Sequence, residues 1–376
     1  MPTKIRHTGG LLFVLLLVLS LSLSGCRLTY LLHAAVGQAK LLSGAVPMEQ
    51  GLNETVLGAE EKERLHLVPR IKVFGEEVLG LKRTNNYETV YLASPSPPLY
   101  VVSACPRDRL VPVTWWFPIV GRMPYLGFFD LDKARAEKNR LIEKDLDVSL
   151  GSAAAYSTLG WFRDPVTLNM IEESTLDLVE IILHEMTHTT LYIKGQGAFN
   201  EGLASLVGKV GAQVFFENLH GPAHPLTMEA GDALDDERLI ASYMDCLLKG
   251  LEILYALPLP YDEKMARREE IFSEALKEFE GLKPRLKTDR FRTLGHVPLN
   301  NAYLATVGLY HRHFHLFEQM LRKNGNDIKE NLDYLQRLAE GGGDMLERMY
   351  EFSCLKEPGN CGHGSLFSKT KGHGKD

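Results

Sequence analysis

The sequence predicts an α+β protein, with a small sheet in its N-terminal half and a mainly helical second half. Between residues 99 and 129 the chain holds short segments rich in β-branched and aromatic residues, which is typical of strands. From residue 174 almost to the C-terminus, apolar residues instead recur at helical spacing. We expect a single domain over residues 26–361, with the sheet within about 84–170 and the helices within about 171–353.

The strands and helices follow from local patterns along the chain. Residues 27–83 predict two helices, the second of them interrupted. After the breaker SPSPP at 94–98, the segments LYVVSA, VPVTWWFPI and MPYLGFF predict strands. Residues 130–145 then predict an amphipathic helix that starts at an aspartate, and 156–166 a strand or structured loop.

Helix signals continue through the second half. Ser174 with Asp177 resembles a helix-start box, and Gly195 is a natural stop. A further helix is expected from Asn200 past Phe215. We interpret 218–236 as a loop that could serve as a lid, with helices beyond it up to the break GGG at 341–343, and 362–376 as a disordered tail.

Composition excludes one class of partner. Of the 376 residues, 45% are hydrophobic and 24% charged, and the net charge is −6. These values are typical of a globular protein, and they lack the basic excess of nucleic-acid-binding proteins. We therefore expect no nucleic-acid partner.

Residues 1–25 indicate a secretion signal. Lys4 and Arg6 give a positive start, the run LLFVLLLVLSLSL at 11–23 is apolar, and small residues follow. This run is shorter than the roughly 20 residues that a membrane helix needs. An uncleaved anchor helix is the alternative.

The end of this segment, LSGC at 23–26, resembles the bacterial lipobox. The resemblance implies cleavage before Cys26 and lipid attachment to its sulfur, which would hold the mature protein on a membrane. Arg27 follows instead of Asp, and in lipoprotein families this goes with transport to the outer membrane. We therefore expect an outer-membrane lipoprotein of the bacterial cell envelope that faces the periplasm.

The other cysteines permit disulfide bonds without requiring them. If Cys26 carries a lipid, four cysteines remain: Cys105, Cys246, Cys354 and Cys361. Four is an even number, and a location outside the cytosol permits disulfide bonds. The segment CLKEPGNC predicts a local disulfide or free thiols at its two ends. A metal clip that includes His363 is the alternative.

The stretch LHEMTHTT at 183–190 places two histidines on one helical face. Successive residues of a helix turn by about 100°, so His184 and His188 lie about 40° apart, with Glu185 at the flank. Two imidazoles at this spacing can hold Zn²⁺ while the carboxylate reaches a water. The helix is apolar on most other sides and therefore buried, and buried polar groups need partners. A bound metal fits this better than an ordinary polar face.

Glu201, in AFNEGLAS at 198–205, is the candidate third ligand. From His188 to Gly195 a helix travels roughly 10 Å, and the six steps to Glu201 can span up to about 20 Å. The chain can therefore turn and bring Glu201 back to the histidines. The alternative is an acid that interacts with the dipole at a helix start.

HEMTH followed by NEG resembles the gluzincin metallopeptidases, which implies a zincin-like fold. The resemblance assigns His184, His188 and Glu201 as Zn²⁺ ligands and Glu185 as the general base. More closely, three segments resemble a bacterial lipoprotein family named putative zinc aminopeptidases: AAYSTLGWFRDPV at 154–166, HEMTHTTLYIKGQGAFNEGLAS at 184–205 and PLNNAYLATVGLYHRHFHLFEQML at 298–321. This family implies zinc-dependent hydrolysis of a peptide or protein substrate by a lipid-anchored aminopeptidase.

The sequence departs from the gluzincin pattern in three respects. Only 12 residues separate HEMTH from Glu201, and Ser205 stands where many gluzincins have an Asp that orients a ligand histidine. No GxMEN-like segment, which binds a free amine in large aminopeptidases, is present. There are therefore two alternatives to an aminopeptidase. One is an envelope endopeptidase, and the other is a non-catalytic zinc-containing lipoprotein that acts as a binding or scaffold module.

Other residues are candidates for contact with the substrate. Tyr310 could donate to the oxyanion, as could the nearby His311, His313 and His315, or it could be a core aromatic. Asn300 and Asn301 could bind the substrate backbone or cap a helix. Tyr156 could line the cleft, and an edge strand near 122–129 could pair with an extended peptide.

Overall fold

The computed structural model describes residues 25–92, 99–117, 121–153 and 163–353, without the side chains of 25–29, 31, 32 and 153. Over these ranges the chain is mainly helical with small sheets, which agrees with the α+β prediction. The apolar run at 11–23 and the tail at 362–376 lie outside them. None of the described helices combines the length and the apolar character that a membrane span requires.

The N-terminal part forms helices and one small sheet. Its helices are α1 (Gly25–Ser43), α2 (Met48–Leu52) and α3 (Ala59–Glu77). The sheet consists of β1 (Val46–Pro47), β2 (Thr89–Tyr91) and β8 (Val166–Thr167), in the order β1-β2-β8.

The interruption predicted in the second helix is wrong, because α3 continues through Pro69. A proline inside a helix removes one hydrogen bond and crowds the preceding turn. The buried face of α3, which includes Leu65, Val68 and Ile71, offsets this cost by packing in the main core.

The central sheet carries the strands predicted after residue 98. It has the order β6-β3-β7, with β3 (Leu99–Pro106) antiparallel to both β6 (Tyr125–Phe128) and β7 (Leu146–Ala153). A separate hairpin joins β4 (Trp115–Phe117) and β5 (Gly121–Met123). The helix α4 (Leu131–Ile142) covers the sheet, and its start at Asp130 is confirmed by two backbone hydrogen bonds to that carboxylate.

The second half is helical, as predicted. Its helices are α5 (Leu168–Glu172), α6 (Thr175–Thr190), α7 (Gly197–His220), α8 (Pro225–Ala256), α9 (Tyr261–Leu282), α10 (Asn301–His311), α11 (Phe314–Lys323), α12 (Ile328–Glu340) and α13 (Met345–Ser353). The main core joins α3, α6 and α7 to α11, α12 and α13, and a second core joins α8, α9 and α10. The predicted break at 341–343 is confirmed.

Two predicted boundaries are wrong. α6 ends at Thr190 rather than near Gly195, which lies in the following loop with a φ of 82°. The predicted loop and lid at 218–236 is almost entirely helical, because α7 extends to His220 and α8 begins at Pro225. Proline at the first helical position fits a helix start, where its missing N–H costs nothing.

The described cysteines differ in redox state. Cys246 is disulfide-bonded, whereas Cys105 is a buried free thiol. Cys354 and Cys361 lie outside the described residues.

Candidate metal centre

The helix α6 presents the HEMTH motif from a buried position. Its start is fixed by Ser174, whose hydroxyl accepts the N–H of Asp177 at 3.0 Å, as the sequence predicts. Leu178 and Ile182 are fully buried on its apolar sides. His184 and His188 therefore face inward towards α7, and His188 is buried.

The segment FNEG turns the chain back to this face. The side chain of Asn200 clamps the preceding loop, since its Oδ1 accepts the N–H of Ile193 and its Nδ2 donates to the carbonyl of Ile193, both at 2.8 Å. A Cβ at Gly202 would lie 2.4 Å from the ring of Phe317 on α11, so only glycine allows this approach. Glu201, between them, is held on the first turns of α7 and points at the histidines.

The predicted convergence of His184, His188 and Glu201 is confirmed. The Nε2 atoms of the two histidines are 3.2 Å apart, and Glu201 Oε2 lies 3.2 Å from the first and 3.4 Å from the second. Ligands at about 2.05 Å from a tetrahedral Zn²⁺ are separated by about 3.3 Å. The spacing and the nitrogen and oxygen donors therefore fit one zinc-sized cation.

The pKa values of Glu201 and His188 are shifted in opposite directions. Burial would raise the pKa of Glu201, but the charge of His188 and hydrogen bonds from both histidines hold it well below its usual range. Burial would lower the pKa of His188, and Glu201 raises it above the usual value. The glutamate is thus an anion at neutral pH, which is the form that binds a metal.

Glu185 flanks the cluster without belonging to it. Its negative charge contributes to raising the pKa values of His188 and Tyr310, which places it close to both. It is half-buried, and within the described part of the chain it makes no hydrogen bond or ion pair. Its carboxylate is therefore available to accept a proton.

Tyr310 is the member of its segment that reaches the cluster. Its ring stacks on that of His184, with 6.1 Å between centroids. Burial raises the pKa of Tyr310 far above its usual value, and Glu201 raises it further by its charge and by a hydrogen bond. The hydroxyl therefore stays protonated and can act as a donor.

The three rival histidines have other contacts. His311 bonds to Glu237 at 2.6 Å, His313 to the hydroxyl of Tyr350 at 3.2 Å, and His315 to Ser242 at 2.7 Å.

The asparagines lie at the other end of α10, about 15 Å from Tyr310 by helical rise. Asn300 caps the helix by accepting the N–H of Tyr303 at 2.9 Å, which matches its alternative interpretation. Asn301 is fully buried and bonds to the hydroxyl of Tyr255 and to backbone carbonyls of residues 106, 107 and 109. The side chains of Tyr156 and Cys26 lie outside the described residues.

Two further tyrosines border the cluster, and sequence reasoning missed both. The ring of Tyr192 lies 6.3 Å from that of His188. Tyr87 is buried with a φ of 62°, a strained conformation for a bulky residue, and its N–H donates to the carbonyl of Asp164 at 2.7 Å. Burial raises the pKa of Tyr87, and the charge of Glu185 raises it further. Tyr192 lies four residues after His188, within the segment 184–205 that carries the family resemblance, whereas no local pattern marks Tyr87.

A buried ion network lies one turn before His184 on α6, and sequence reasoning missed it as well. Glu180 accepts from Arg290 at 2.6 and 2.8 Å, and Lys209 lies 3.4 Å from Glu180 and 3.3 Å from Glu237. His311 completes the network through its bond to Glu237. Its members are spread from Glu180 to His311, so no local motif marks them.

The second contact that orients a ligand histidine is absent for His188 among the described residues. The Nδ1 atom of His188, which would make this second contact, is buried and has no hydrogen-bond partner among the described residues. Ser205, which stands where many gluzincins have an Asp, is buried but does not supply one. The departure noted in the sequence thus has a structural counterpart.

Comparison with known proteins assigns the chain to a family. A family model described as "Putative aminopeptidase" matches residues 29–348, which include all three candidate ligands and Glu185. Among curated proteins and among solved structures, no match was found. Because the family model covers most of the 376 residues, the chain belongs to this aminopeptidase family.

Proposed function

We propose that the protein is a zinc-dependent peptidase, with aminopeptidase activity as the first expectation. Membership of the family supports peptidase function in general. The observation that carries the zinc assignment is the convergence of His184, His188 and Glu201 next to a half-buried carboxylate, Glu185, that lacks a partner among the described residues. A purely structural metal site has no need of that free carboxylate.

Different residues of this chain have separate roles in amide hydrolysis. When bound, a zinc ion held by His184, His188 and Glu201 supplies Lewis acidity and makes a water acidic near neutral pH. Glu185 accepts the proton of the attacking water and delivers it to the leaving amine. The burial around the cluster keeps bulk water away, which strengthens each of these interactions.

Tyr310 is the proposed donor to the developing oxyanion. Its stacking on His184 holds the phenol beside the candidate ligands, and its raised pKa keeps the proton on the hydroxyl. A donor that is already oriented stabilises the transition state without reorganisation.

A peptide panel tests the activity and its type. The soluble chain that begins after Cys26 is assayed for zinc by elemental analysis and for hydrolysis of peptides with free and with acetylated amino ends. Cleavage of free peptides alone supports an aminopeptidase, and equal cleavage of both supports the endopeptidase alternative. Zinc without any hydrolysis supports the non-catalytic binding module.

Glu185→Gln separates chemistry from metal binding. The variant should keep its zinc and lose about 10²–10⁴-fold in rate, because the general base is removed and the ligands remain. Glu217→Gln is the matched control, since Glu217 is exposed on α7. Unchanged hydrolysis in a zinc-loaded Glu185→Gln variant contradicts the assigned role.

We also propose that Cys26 carries a lipid that anchors the protein in the outer membrane, on the evidence of the apolar run and LSGC. Cys26→Ser should block labelling with radioactive palmitate in a bacterial host and leave an unprocessed precursor. A wild-type protein that takes up no label overturns this part of the proposal.

A further inference from the structure

The strand β6 has an outer edge that no other described strand covers, because the sheet order is β6-β3-β7. Gly127 lies in this strand opposite Val101. The Tyr30 hydroxyl, from α1, accepts the N–H of Gly127 at 3.1 Å and donates to its carbonyl at 3.0 Å. Both backbone groups of Gly127 therefore point away from β3, towards the outer edge.

This edge leads away from the candidate metal centre. Tyr125 begins β6 two residues before Gly127, or about 7 Å along the strand. Its phenol lies close enough to Tyr310 that its ionised form would raise the pKa of Tyr310. Met123, just before it, accepts a hydrogen bond at 3.5 Å from Tyr192, whose ring faces His188. A chain that pairs with β6 therefore runs from the metal centre past Gly127.

The helix α1 is shallowly seated on this edge. None of its described residues is buried as a whole, and none belongs to the three hydrophobic clusters. Both amide atoms of Gln38 are buried without a hydrogen bond in the described structure, which opposes docking. The ring of Tyr30 contacts Phe128 and Phe117, at 5.3 and 6.0 Å between centroids, and α1 approaches Phe129 closely at Gly37.

A single hydroxyl can replace the hydrogen-bond donor and acceptor that a paired strand presents. A neighbouring antiparallel strand presents one carbonyl and one N–H to a residue such as Gly127. A tyrosine hydroxyl is both a donor and an acceptor, so Tyr30 meets both needs with one atom. The contact occupies the main-chain positions that an extended peptide would use.

We propose that Tyr30 and α1 form a displaceable strap over a peptide-binding edge, with Gly127 as a main-chain subsite for an extended peptide. The inference rests on the proposed function, since it states how the peptide substrate is held. An extended peptide and the Tyr30 hydroxyl compete for the same two backbone groups. Ligands too short to extend past Tyr125 do not meet the strap.

Binding to an inactive background tests this competition. The Glu185→Gln protein is titrated with the free hexapeptide LVATVA and compared with the Glu185→Gln, Tyr30→Phe double variant. Loss of the hydroxyl should tighten hexapeptide binding by about 5- to 100-fold, the range for the two hydrogen bonds that it makes with Gly127. Leucine 4-nitroanilide, which ends before the strap, should bind equally to both.

Tyr261→Phe in the same background is the matched control. It removes an equivalent hydroxyl, bonded to Asp145 at 3.2 Å on the exposed surface, and should leave hexapeptide binding unchanged.

Hydrogen exchange gives a second measurement that needs no change at Tyr30. Adding the hexapeptide to the Glu185→Gln protein should speed amide exchange in α1, while β6 stays protected by the new partner. The proposal is overturned by equal affinity in the two variants, by slower exchange in α1 on binding, or by no hexapeptide binding up to millimolar concentration. Absence of hydrolysis by the wild-type protein contradicts the proposed function alone, because these binding measurements use an inactive protein.

Discussion

The candidate metal centre and the ion network of Glu180 are both buried polar clusters that include residues of α6 and α7. They differ in whether the negative charges and lone pairs in each cluster have partners within the chain. In the network, Arg290 donates to both carboxylate oxygens of Glu180, and Lys209 forms ion pairs with Glu180 at 3.4 Å and with Glu237 at 3.3 Å. In the metal centre, two imidazole nitrogens and a carboxylate oxygen converge within 3.2 to 3.4 Å. The network pairs its carboxylates with cations of the chain itself, whereas the candidate metal centre presents three possible metal-binding atoms to one point.

This difference helps to decide whether a buried polar cluster stabilises the fold or binds a cation for a function. A cluster whose acceptors face protein cations stabilises the fold when intact and costs several kcal/mol when broken. A cluster of converging acceptors gains most from a cation that the chain does not itself contain. The two therefore make opposite predictions for metal binding and for stability.

The largest effect is expected for Glu201→Gln. A neutral amide is a poor zinc ligand, so the variant should lose its bound metal and all measurable peptide hydrolysis. Elemental analysis and a peptide assay check this, with Glu217→Gln on the same helix as the exposed control. A Glu201→Gln protein that keeps stoichiometric zinc shows that the convergence is not a metal site.

The reverse pattern is expected for Glu237→Gln. Removing one partner of a buried ion network typically costs about 3–5 kcal/mol, so urea unfolding should show this loss while the remaining folded protein still binds zinc. Glu252→Gln is the control on the same helix, because its pair with Arg312 is exposed and such pairs contribute about 1 kcal/mol or less. Equal stability of the two variants contradicts a structural role for the network.

The pH dependence of stability reports on the same residue. Burial would raise the pKa of Glu237, but the charges of His311 and Lys209 outweigh it and lower the pKa to about 2, from 4.5. A lowered native pKa adds stability that is present above about 4.5 and is lost as pH falls towards 2, by about 3 kcal/mol. In metal-free protein, Glu237→Gln should flatten the loss of stability between pH 4.5 and 2.

Tyr310→Phe should affect catalysis far more than it affects either cluster. Losing one oxyanion donor typically lowers kcat by about 10²–10³-fold, and zinc content and unfolding should stay near wild type. Tyr303→Phe, on the same helix, is the control and should leave kcat unchanged. If Tyr310→Phe retains full kcat, Tyr310 is a packing residue, as its alternative interpretation holds.

The candidate metal centre could be predicted because its evidence is local. HEMTH places two ligands by helical periodicity alone, and the short loop limits how far Glu201 can lie from them. The roles of the residues beside Glu201 were not predicted, although they fix its position. Asn200 acts through backbone groups of the preceding loop, and Gly202 through a ring on α11, and neither partner is visible in a local pattern.

The missed elements depend on contacts between distant residues. β7, with the sequence LDVSLGSA, has weak strand propensity, and its pairing with β3 over eight positions gives it its conformation. Residues 218–236 contain Gly and Pro, which suggested a loop, although Pro225 starts α8. Members of the ion network come from five separate segments, so only the tertiary fold identifies them.

The smallest effect, expected for Gly208→Ala, tests whether the two clusters are coupled. Gly208 lies where α7 crosses α6, and a Cβ there would be 2.8 Å from the carbonyl oxygen of Glu180 and 3.4 Å from His184 Cβ. Because the nearer atom belongs to the backbone, the helices must separate slightly, at a typical cost of about 1–3 kcal/mol.

The same separation moves His184 relative to Glu201, so zinc affinity should also fall, by about tenfold as for other supporting residues. Urea unfolding of the metal-free protein and competition with a zinc chelator measure the two effects separately. Gly281→Ala is the control, because a Cβ there meets no atom within 4 Å and alanine favours the helix by about 0.4–1 kcal/mol. If Gly208→Ala lowers stability and leaves zinc affinity unchanged, the network supports the fold without positioning the metal ligands.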